Sequence, residues 1–202
     1  LLSFITKKGE EWLGIFIVQL LGDLDRLHRT GWAFGDLKPE NLLITGPPPR
    51  IRWFDVGGTT KFGRSIKEYT EFYDRGYWGL GSRVAEPSYD LFCVAMIMIH
   101  CAYKRRFDKK GSRPLEQLKE AIEKNATLRR YKHVLLKALC GKYNHALAMK
   151  KDLIEAMQKQ PFYERVAVKK KKKKKERYFV ELFLVITFLL LAYVLYLFGQ
   201  MI

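Results

Sequence analysis

Apolar side chains recur every three or four positions between residues 11 and 29. The positions that carry this period are Trp12, Ile15, Phe16, Leu20, Leu24 and Leu27. In an α-helix such positions share one face, so the pattern predicts an amphipathic helix with a wide buried stripe. Gly31 follows the last of them and can end the helix.

Two short apolar runs come next, at residues 41–45 and 50–54, and three consecutive prolines lie between them. Proline has no amide hydrogen to give to a β-ladder, so residues 46–49 are predicted to be a turn between the two strands of a small β-hairpin. Residues 57–88 show no sustained period. We expect them to form a long ordered loop, which within a compact domain is usually functional.

Further helices are predicted downstream of this loop. Residues 89–102 are apolar almost all round, as in a helix buried in a core. Pro114 can open a charged helix, because proline is favoured at the first helical position. Two more helices are expected, across residues 127–140 and around residues 146–158.

The C-terminal part differs in character. A 17-residue run at 182–198 is apolar or aromatic except for Thr187. At about 1.5 Å per residue, this run is near the lower limit for crossing a bilayer core; a buried helix of a soluble domain is the alternative. We predict a basic juxtamembrane segment at 161–177 and one transmembrane helix at 178–202.

A lysine run precedes this apolar stretch. It consists of Lys169, Lys170, Lys171, Lys172, Lys173, Lys174 and Lys175. The positive-inside rule places such a run on the cytoplasmic side. The bulk of the chain is therefore expected to be cytoplasmic, tethered to the cell membrane by a single span.

The composition fits a folded domain with an appendage. The chain has 202 residues, and its 13 Phe, 11 Tyr and 4 Trp supply enough core to exclude a mainly disordered protein. Three cysteines are too few for a disulfide scaffold, and Cys93 and Cys101 are expected to be buried, reduced thiols. The chain starts at Leu1 with no signal-like segment, and we expect it to be the C-terminal part of a longer protein.

The net charge of +16 is unevenly distributed. Residues 1–103 carry 12 basic and 12 acidic side chains, whereas residues 104–151 carry 15 basic and 4 acidic ones. Lysine-rich helix faces that are merely solvated are one explanation. The other is a surface for a polyanion, either an anionic membrane or DNA, and DNA binding would be non-specific because no base-reading motif is visible.

Two short motifs carry the candidate chemistry: Gly-Asp-Leu-Lys-Pro-Glu-Asn at residues 35–41, and Asp-Val-Gly at residues 55–57. They resemble the catalytic loop and the metal-binding loop of bacterial Hanks-type serine/threonine protein kinases, and the order of the surrounding elements agrees. The resemblance covers residues 1–160. It implies an α+β fold, namely a kinase C-lobe that is mainly α with a small β-hairpin.

The resemblance also implies a role for each motif residue. Asp36 would orient the substrate hydroxyl and accept its proton, and Lys38 would meet the γ-phosphate of ATP. Asn41 and Asp55 would be ligands for Mg²⁺, which prefers oxygen donors. Taken singly, these residue types are more often caps, solvated charges or turn formers. The spacing of the whole set favours the kinase interpretation.

Two further positions resemble supporting residues of the same family. Thr70 lies in a loose match to the substrate-docking loop and would bridge to Asp36 and Lys38. Asp90 resembles the aspartate that braces the backbone of the catalytic loop, with helix N-capping as the competing explanation.

The sequence departs from the family pattern in several places. Phe34 and Gly35 replace the usual His and Arg, Val56 replaces a Phe, and the Ala-Pro-Glu triplet that ends the docking loop is absent. The missing arginine usually pairs with a phosphorylated loop, so we expect activity that is independent of phosphorylation at Thr59, Thr60 or Ser65. The glycine-rich loop, strand lysine and partner glutamate of an N-lobe are also absent.

We therefore expect a membrane-tethered serine/threonine protein kinase that uses ATP and Mg²⁺ to phosphorylate protein substrates. Activity is expected only together with the missing N-lobe. Two alternatives remain: a kinase-like phosphotransferase acting on a small molecule, and a non-catalytic pseudokinase-like scaffold at the membrane. Retention of both predicted metal ligands argues against the scaffold.

Overall fold

The longest helix near the N-terminus is α2, Glu11–Arg29, which confirms the predicted amphipathic helix. A short helix that the sequence pattern did not predict, α1, precedes it at Leu2–Lys8. Helix α2 is surrounded on several sides, because it packs against α3 (Pro87–Tyr103), against α7 (Ala146–Gln158) and against the hairpin.

The buried face of α2 is wider than the predicted stripe and is rotated from it. Leu13, Ile17 and Leu21 are fully buried, although the periodicity had not singled them out. Ile15, which was predicted to be buried, is 40% exposed. The reason is that neighbouring elements cover two flanks of the helix, so that one stripe does not describe its core contacts.

The predicted β-hairpin is confirmed. Strands β2 (Leu42–Thr45) and β3 (Arg50–Trp53) pair antiparallel, with Leu42 opposite Trp53 and Thr45 opposite Arg50. The prolines form the turn between them, as expected from their missing amide hydrogens.

The expected long loop at 57–88 contains regular structure that the sequence pattern did not reveal. Its first part forms β4 (Thr60–Lys61), which pairs antiparallel with β1 (Trp32–Ala33) directly after α2. Later in the loop, Glu71–Tyr73 forms a 3₁₀ turn. The prediction of a long ordered loop therefore missed the regular structure within it, because two-residue strands are too short to show a period.

Helix α3 is the centre of the core, and its prediction is confirmed. Every side chain from Ser88 to Ala102 is buried, as its mostly apolar sequence implies, and the buried set includes the polar residues Ser88, Asp90 and His100. Cys93 and Cys101 are buried and free, also as predicted. Burial disfavours a thiolate, and it raises the pKa of Cys101 to about 12.

The C-terminal helices complete this unit. Helix α4 (Pro114–Lys124) begins at the predicted proline, and α7 has the predicted bounds. The single helix expected across 127–140 is instead two helices, α5 (Ala126–Arg130) and α6 (Lys132–Leu139). They are separated by Tyr131, whose φ of −99° and ψ of 10° break the helical path.

The structure is a computed structural model that describes residues 1–9, 11–158, 183 and 187. The chain divides after Gln158, and Leu1–Gln158 is the unit described above. The predicted juxtamembrane segment, its lysine run and the predicted transmembrane helix lie outside the described residues, apart from Phe183 and Thr187. Within the described part, none of the helices has both the length and the apolar character needed to cross a bilayer.

Candidate active site

Asp36 lies at the centre of the candidate site, in the loop after β1. Lys38 Nζ donates a hydrogen bond to Asp36 Oδ2 at 2.5 Å. Thr70 Oγ1 donates to Asp36 Oδ1 at 3.2 Å and accepts from Lys38 Nζ at 3.3 Å. The three side chains therefore form a closed triangle, and the predicted bridge from Thr70 to both residues is confirmed.

Asn41 ends the turn that follows Lys38, and its side chain is turned back towards Asp36. Asn41 Nδ2 donates to the Asp36 backbone oxygen at 2.9 Å and to Asp36 Oδ2 at 3.4 Å. Its own backbone oxygen accepts from Phe54 N at 2.9 Å, across the open end of the hairpin. The hairpin thus brings the residue before Asp55 against Asn41, although fourteen positions separate Asn41 from Asp55 in the sequence.

Asp55 follows this contact and belongs to an exposed glycine loop. Asp55 Oδ1 accepts a hydrogen bond from Gly57 N at 2.9 Å. Next along the loop, Gly58 packs directly on Asp36, since a Cβ at Gly58 would lie 3.0 Å from Asp36 Cβ. The loop that carries Asp55 is therefore a neighbour of Asp36 and Asn41. The role of Asp55 as a metal ligand stays a prediction.

Gly35 allows this close approach from the other side. It has a φ of +84°, and a Cβ at this position would lie 2.4 Å from the Gly58 carbonyl oxygen. A glycine here meets both needs, because it tolerates the left-handed region and occupies no side-chain space. This explains physically why the arginine of the family pattern is replaced at this position.

Asp90 holds the same loop by hydrogen bonds to its backbone. Its two carboxylate oxygens accept hydrogen bonds from Phe34 N at 2.7 Å and Gly35 N at 3.0 Å, and the carboxylate is fully buried. The competing explanation, helix N-capping, is wrong, because the N-cap residue of α3 is Glu86. The predicted bracing contact is confirmed.

Sequence reasoning missed His28 as a member of the site. His28 Nε2 lies 2.8 Å from Asp90 Oδ2, and the ring is buried near the end of α2. Within the described residues, His28 Nδ1 has no hydrogen-bond partner. A lone histidine on a helix gave no signal, because its partner is 62 residues away along the chain.

A second group of charged residues that the sequence analysis missed holds the loop that follows Thr70, at residues 71–86. Asp74 is fully buried, and its carboxylate accepts from Tyr77 N at 2.8 Å and from Arg83 Nε at 2.8 Å. Arg75 donates to Glu86 Oε1 and to Ser88 Oγ, both at 2.7 Å. These contacts tie the region after Thr70 to the start of α3, where the Ala-Pro-Glu triplet is absent.

Glu86 stays ionised in this arrangement. The hydrogen bond from Ser88 Oγ, at 2.6 Å, is the largest reason why the pKa of Glu86 lies below its usual value. Partial burial opposes this effect, and Arg75 supports it. A charged Glu86 keeps the buried guanidinium of Arg75 neutralised, which a buried cation requires.

An open cleft of about 410 Å³ lies beside the glycine loop. It is lined by Trp32, Gly57, Gly58, Thr59, Thr60, Lys61, Arg64, Ser65, Lys67 and Glu68. The three hydroxyl residues that we expect to be dispensable as phosphorylation sites are among them. Within the part of the chain that the structure describes, no cluster of three or more His, Cys, Asp or Glu residues could hold a metal ion.

One sequence similarity to a known protein covers most of the chain. Over 159 residues the chain is 60% identical to the serine/threonine-protein kinase YabT of Bacillus subtilis (strain 168). The aligned residues make up 79% of this chain and 47% of that protein. Over this part, the chain is therefore similar to a serine/threonine-protein kinase. The chain spans about half the length of that relative. No protein-family model matches the chain.

Two shorter similarities are also found. The chain is 32% identical over 92 residues to cyclin-dependent kinase F-3 of Oryza sativa subsp. japonica, covering 45% of this chain and 21% of that protein. It is 35% identical over 57 residues to the PAN2-PAN3 deadenylation complex subunit PAN3 of Kluyveromyces lactis, covering 28% and 9% of the two chains.

Proposed function

We propose that this chain is the catalytic C-terminal lobe of a serine/threonine protein kinase that transfers phosphate from ATP to hydroxyl groups of protein substrates. The observation that supports this most is the triangle formed by Asp36, Lys38 and Thr70, with the Asp55 loop packed against Asp36. The similarity to YabT supports the same reaction class.

In this proposal each residue has one task. Asp36, fixed by three side-chain donors, orients the acceptor hydroxyl and takes its proton. Lys38 places a positive charge where negative charge develops on the transferred group. Thr70 ties the loop at residues 71–86, where the substrate is proposed to dock, to Asp36, and so positions the acceptor.

Asn41 and Asp55 would hold Mg²⁺. Asn41 uses its amide nitrogen to donate to Asp36, which leaves its carbonyl oxygen as the donor for a cation. Asp55 adds an exposed carboxylate, and this all-oxygen set with phosphate oxygens as further ligands fits magnesium. When bound, magnesium-ATP supplies the phosphoryl group and neutralises the charge on its oxygens.

The test is phosphate transfer by the longer protein that the sequence analysis expects, measured with ATP on a panel of protein and small-molecule acceptors. Asp36→Asn should lower kcat by about 10²-fold or more, since positioned acid–base groups contribute that much. Asp108→Asn, at an exposed acidic position of the same unit, is the matched control and should leave kcat unchanged.

The acceptor panel separates the alternatives. Transfer to serine or threonine of proteins supports the proposal, whereas transfer to small molecules alone would support the phosphotransferase. A wild-type protein that transfers nothing, but binds partners, would support the pseudokinase-like scaffold.

We also propose that residues 178–202 span the cell membrane once and that residues 1–177 are cytoplasmic. The support is the apolar run at 182–198 beside the lysine run. Resistance of the full chain to carbonate extraction from membranes tests this, and replacement of Leu190 and Leu191 by Arg should release it into the soluble fraction. If the unmodified chain is itself extracted, the span is wrong.

The basic block at 104–151 and the lysine run are proposed to contact a polyanion. Anionic lipid is favoured, because the lysines precede the proposed span directly and each contributes about 1 kcal/mol near an anionic surface. Sedimentation with vesicles containing phosphatidylserine, compared with retention on duplex DNA, distinguishes the two partners. If the chain binds neither the vesicles nor the DNA in a salt-dependent manner, the proposal is wrong.

A further inference from the structure

A basic cleft lies away from the residues of the candidate active site, between α2, the turn of the hairpin and α7. Its volume is about 440 Å³. The lining residues are Gln19, Gly22, Asp23, Arg26, Pro48, Pro49, Arg50, Ile51, Arg52 and Lys150. Four of these side chains are cationic and one is anionic, so the cleft attracts negative charge.

Three of the four cations lack a carboxylate partner within the described residues. Arg26 pairs with Asp23 at 2.5 Å, which accounts for the single acidic group of the cleft. Arg50, Arg52 and Lys150 form no ion pair in the part of the chain that the structure describes. Three positive charges that converge on one concave site raise the local concentration of anions more than scattered surface lysines do.

The strand and the helix α7 bring these cations together. Arg50 and Arg52 alternate with the buried Ile51 on β3, so both lie on the outer face of the strand. Lys150 comes from α7, and its Nζ lies 3.0 Å from the place where a Cβ on Gly22 would be. Glycine at position 22 therefore lets the ammonium group lie close over α2.

The arginine side of the cleft is held in place before any ligand binds. Gln19 on α2 accepts from Ile51 N at 3.0 Å and donates to Pro49 O at 3.4 Å, so that one side chain fixes the turn to the helix. The prolines of the turn further restrict the backbone. Because the arginines start from a rigid strand, less ordering entropy is lost when they bind a ligand.

We propose that this cleft binds a phosphate group, carried either by a small anionic ligand or by a phosphorylated residue of a protein. Arginine presents a planar fork of donors that matches phosphate oxygens in a bidentate manner, and lysine adds a point charge. The volume suits a ligand of a few residues or a diphosphate rather than a helical polymer. The proposal uses no residue of the catalytic site and does not depend on the proposed kinase activity.

Isothermal titration calorimetry of the full 202-residue chain in non-ionic detergent tests the proposal. The probes are inorganic pyrophosphate, a phosphoserine peptide, its unphosphorylated form and short duplex DNA. The triple variant Arg50→Gln, Arg52→Gln, Lys150→Gln should weaken binding of the phosphate probe by about tenfold or more.

The matched control removes the same number of positive charges outside the cleft. It combines Lys7→Gln, Lys8→Gln and Arg29→Gln, all at exposed positions outside the cleft and outside the basic block at 104–151. The control variant should bind the phosphate probe less than about threefold more weakly than the wild type, through general electrostatics alone. The lysine run is present in every variant and contributes the same background.

Binding of pyrophosphate that is lost in the cleft variant supports a small phosphate ligand, and a preference for the phosphorylated peptide supports a protein-borne phosphate. Equal losses in the cleft and control variants, or binding of duplex DNA alone, would overturn the proposal. If the triple variant unfolds, the single Arg52→Gln variant decides, and an unchanged affinity there counts against the cleft.

Discussion

Asp90 on α3 and His28 on α2 form a buried hydrogen bond of 2.8 Å, and the same carboxylate holds two amides of the loop before Asp36. One side chain thus connects two core helices to the candidate catalytic loop. Its negative charge is satisfied by three donors, which is what a fully buried carboxylate requires.

We expect Asp90→Ala to destabilise the protein by about 3 kcal/mol, because the change leaves buried donors without an acceptor. The free energy of unfolding from urea titration measures this. Asp108→Asn, at an exposed position, should stay within about 0.5 kcal/mol of the wild type. If Asp90→Ala is as stable as that control, the bracing contact contributes nothing to folding.

Gly31 and Gly35 offer a matched pair for the close approach of the two loops. Both have positive φ, of +83° and +84°, but only Gly35 faces a backbone oxygen where its Cβ would be. Gly31→Ala should cost about 1 kcal/mol, for the left-handed conformation alone. Gly35→Ala should cost about 3 kcal/mol, because a clash with Gly58 is added.

Thermal or urea unfolding of both variants gives the difference directly. Equal destabilisation would mean that the Gly58 loop moves aside without cost. In that case the packing of the Asp55 loop on Asp36 is not a fixed feature of the site.

Thr70 gives a prediction that depends on the proposed kinase activity. Thr70→Val keeps the shape of the side chain but removes its hydrogen bonds to Asp36 and Lys38, and it should lower kcat/KM by about tenfold. Thr70→Ser keeps the hydroxyl and should restore most of the activity. A phosphate-transfer assay measures both variants, and full activity of the valine variant would exclude the bridge from catalysis.

His100, at the end of α3, gives the unfolding free energy a pH dependence. Burial lowers the pKa of His100 below its ordinary value of 6.5, the positive charge of Arg106 lowers it further, and Glu40 opposes both. The unfolded chain therefore binds this proton before the folded chain does as the pH falls. Stability is unaffected well above pH 6.5 and should decrease as the pH falls below that value.

Urea titrations at several pH values between about 5 and 8 test the sign of this effect. Replacement of His100 by Gln should flatten the slope, and the same change at the exposed His145 should not. Tyr73, whose hydroxyl lies 2.5 Å from His100 Nδ1, loses this contact in the first variant, so the comparison rests on the slope and not on the absolute stability.

Much of the fold could be predicted from the sequence, since α2, α3, α4, α7 and the hairpin each carry a local signal. The paired strands β1 and β4 could not, because two residues are too few to show a period. The break at Tyr131 was also hidden, because helical periodicity continues on both sides of it.

The site shows the same division. The residues within one spaced motif, Asp36, Lys38 and Asn41, could be named together. His28 and the pairs Asp74–Arg83 and Arg75–Glu86 could not, because each acts through a partner that is distant in sequence or outside any motif. Contacts of this kind are decided by tertiary packing and leave no spacing to recognise.

The burial of α3 on every side has a practical consequence for genetics. A random-mutagenesis screen for inactive variants would recover many changes between residues 88 and 102, since almost any larger or polar replacement there disturbs a filled core. Most of these variants would be scarce in the cell rather than chemically impaired. Protein abundance should therefore be assayed beside activity before any such allele is assigned to the reaction.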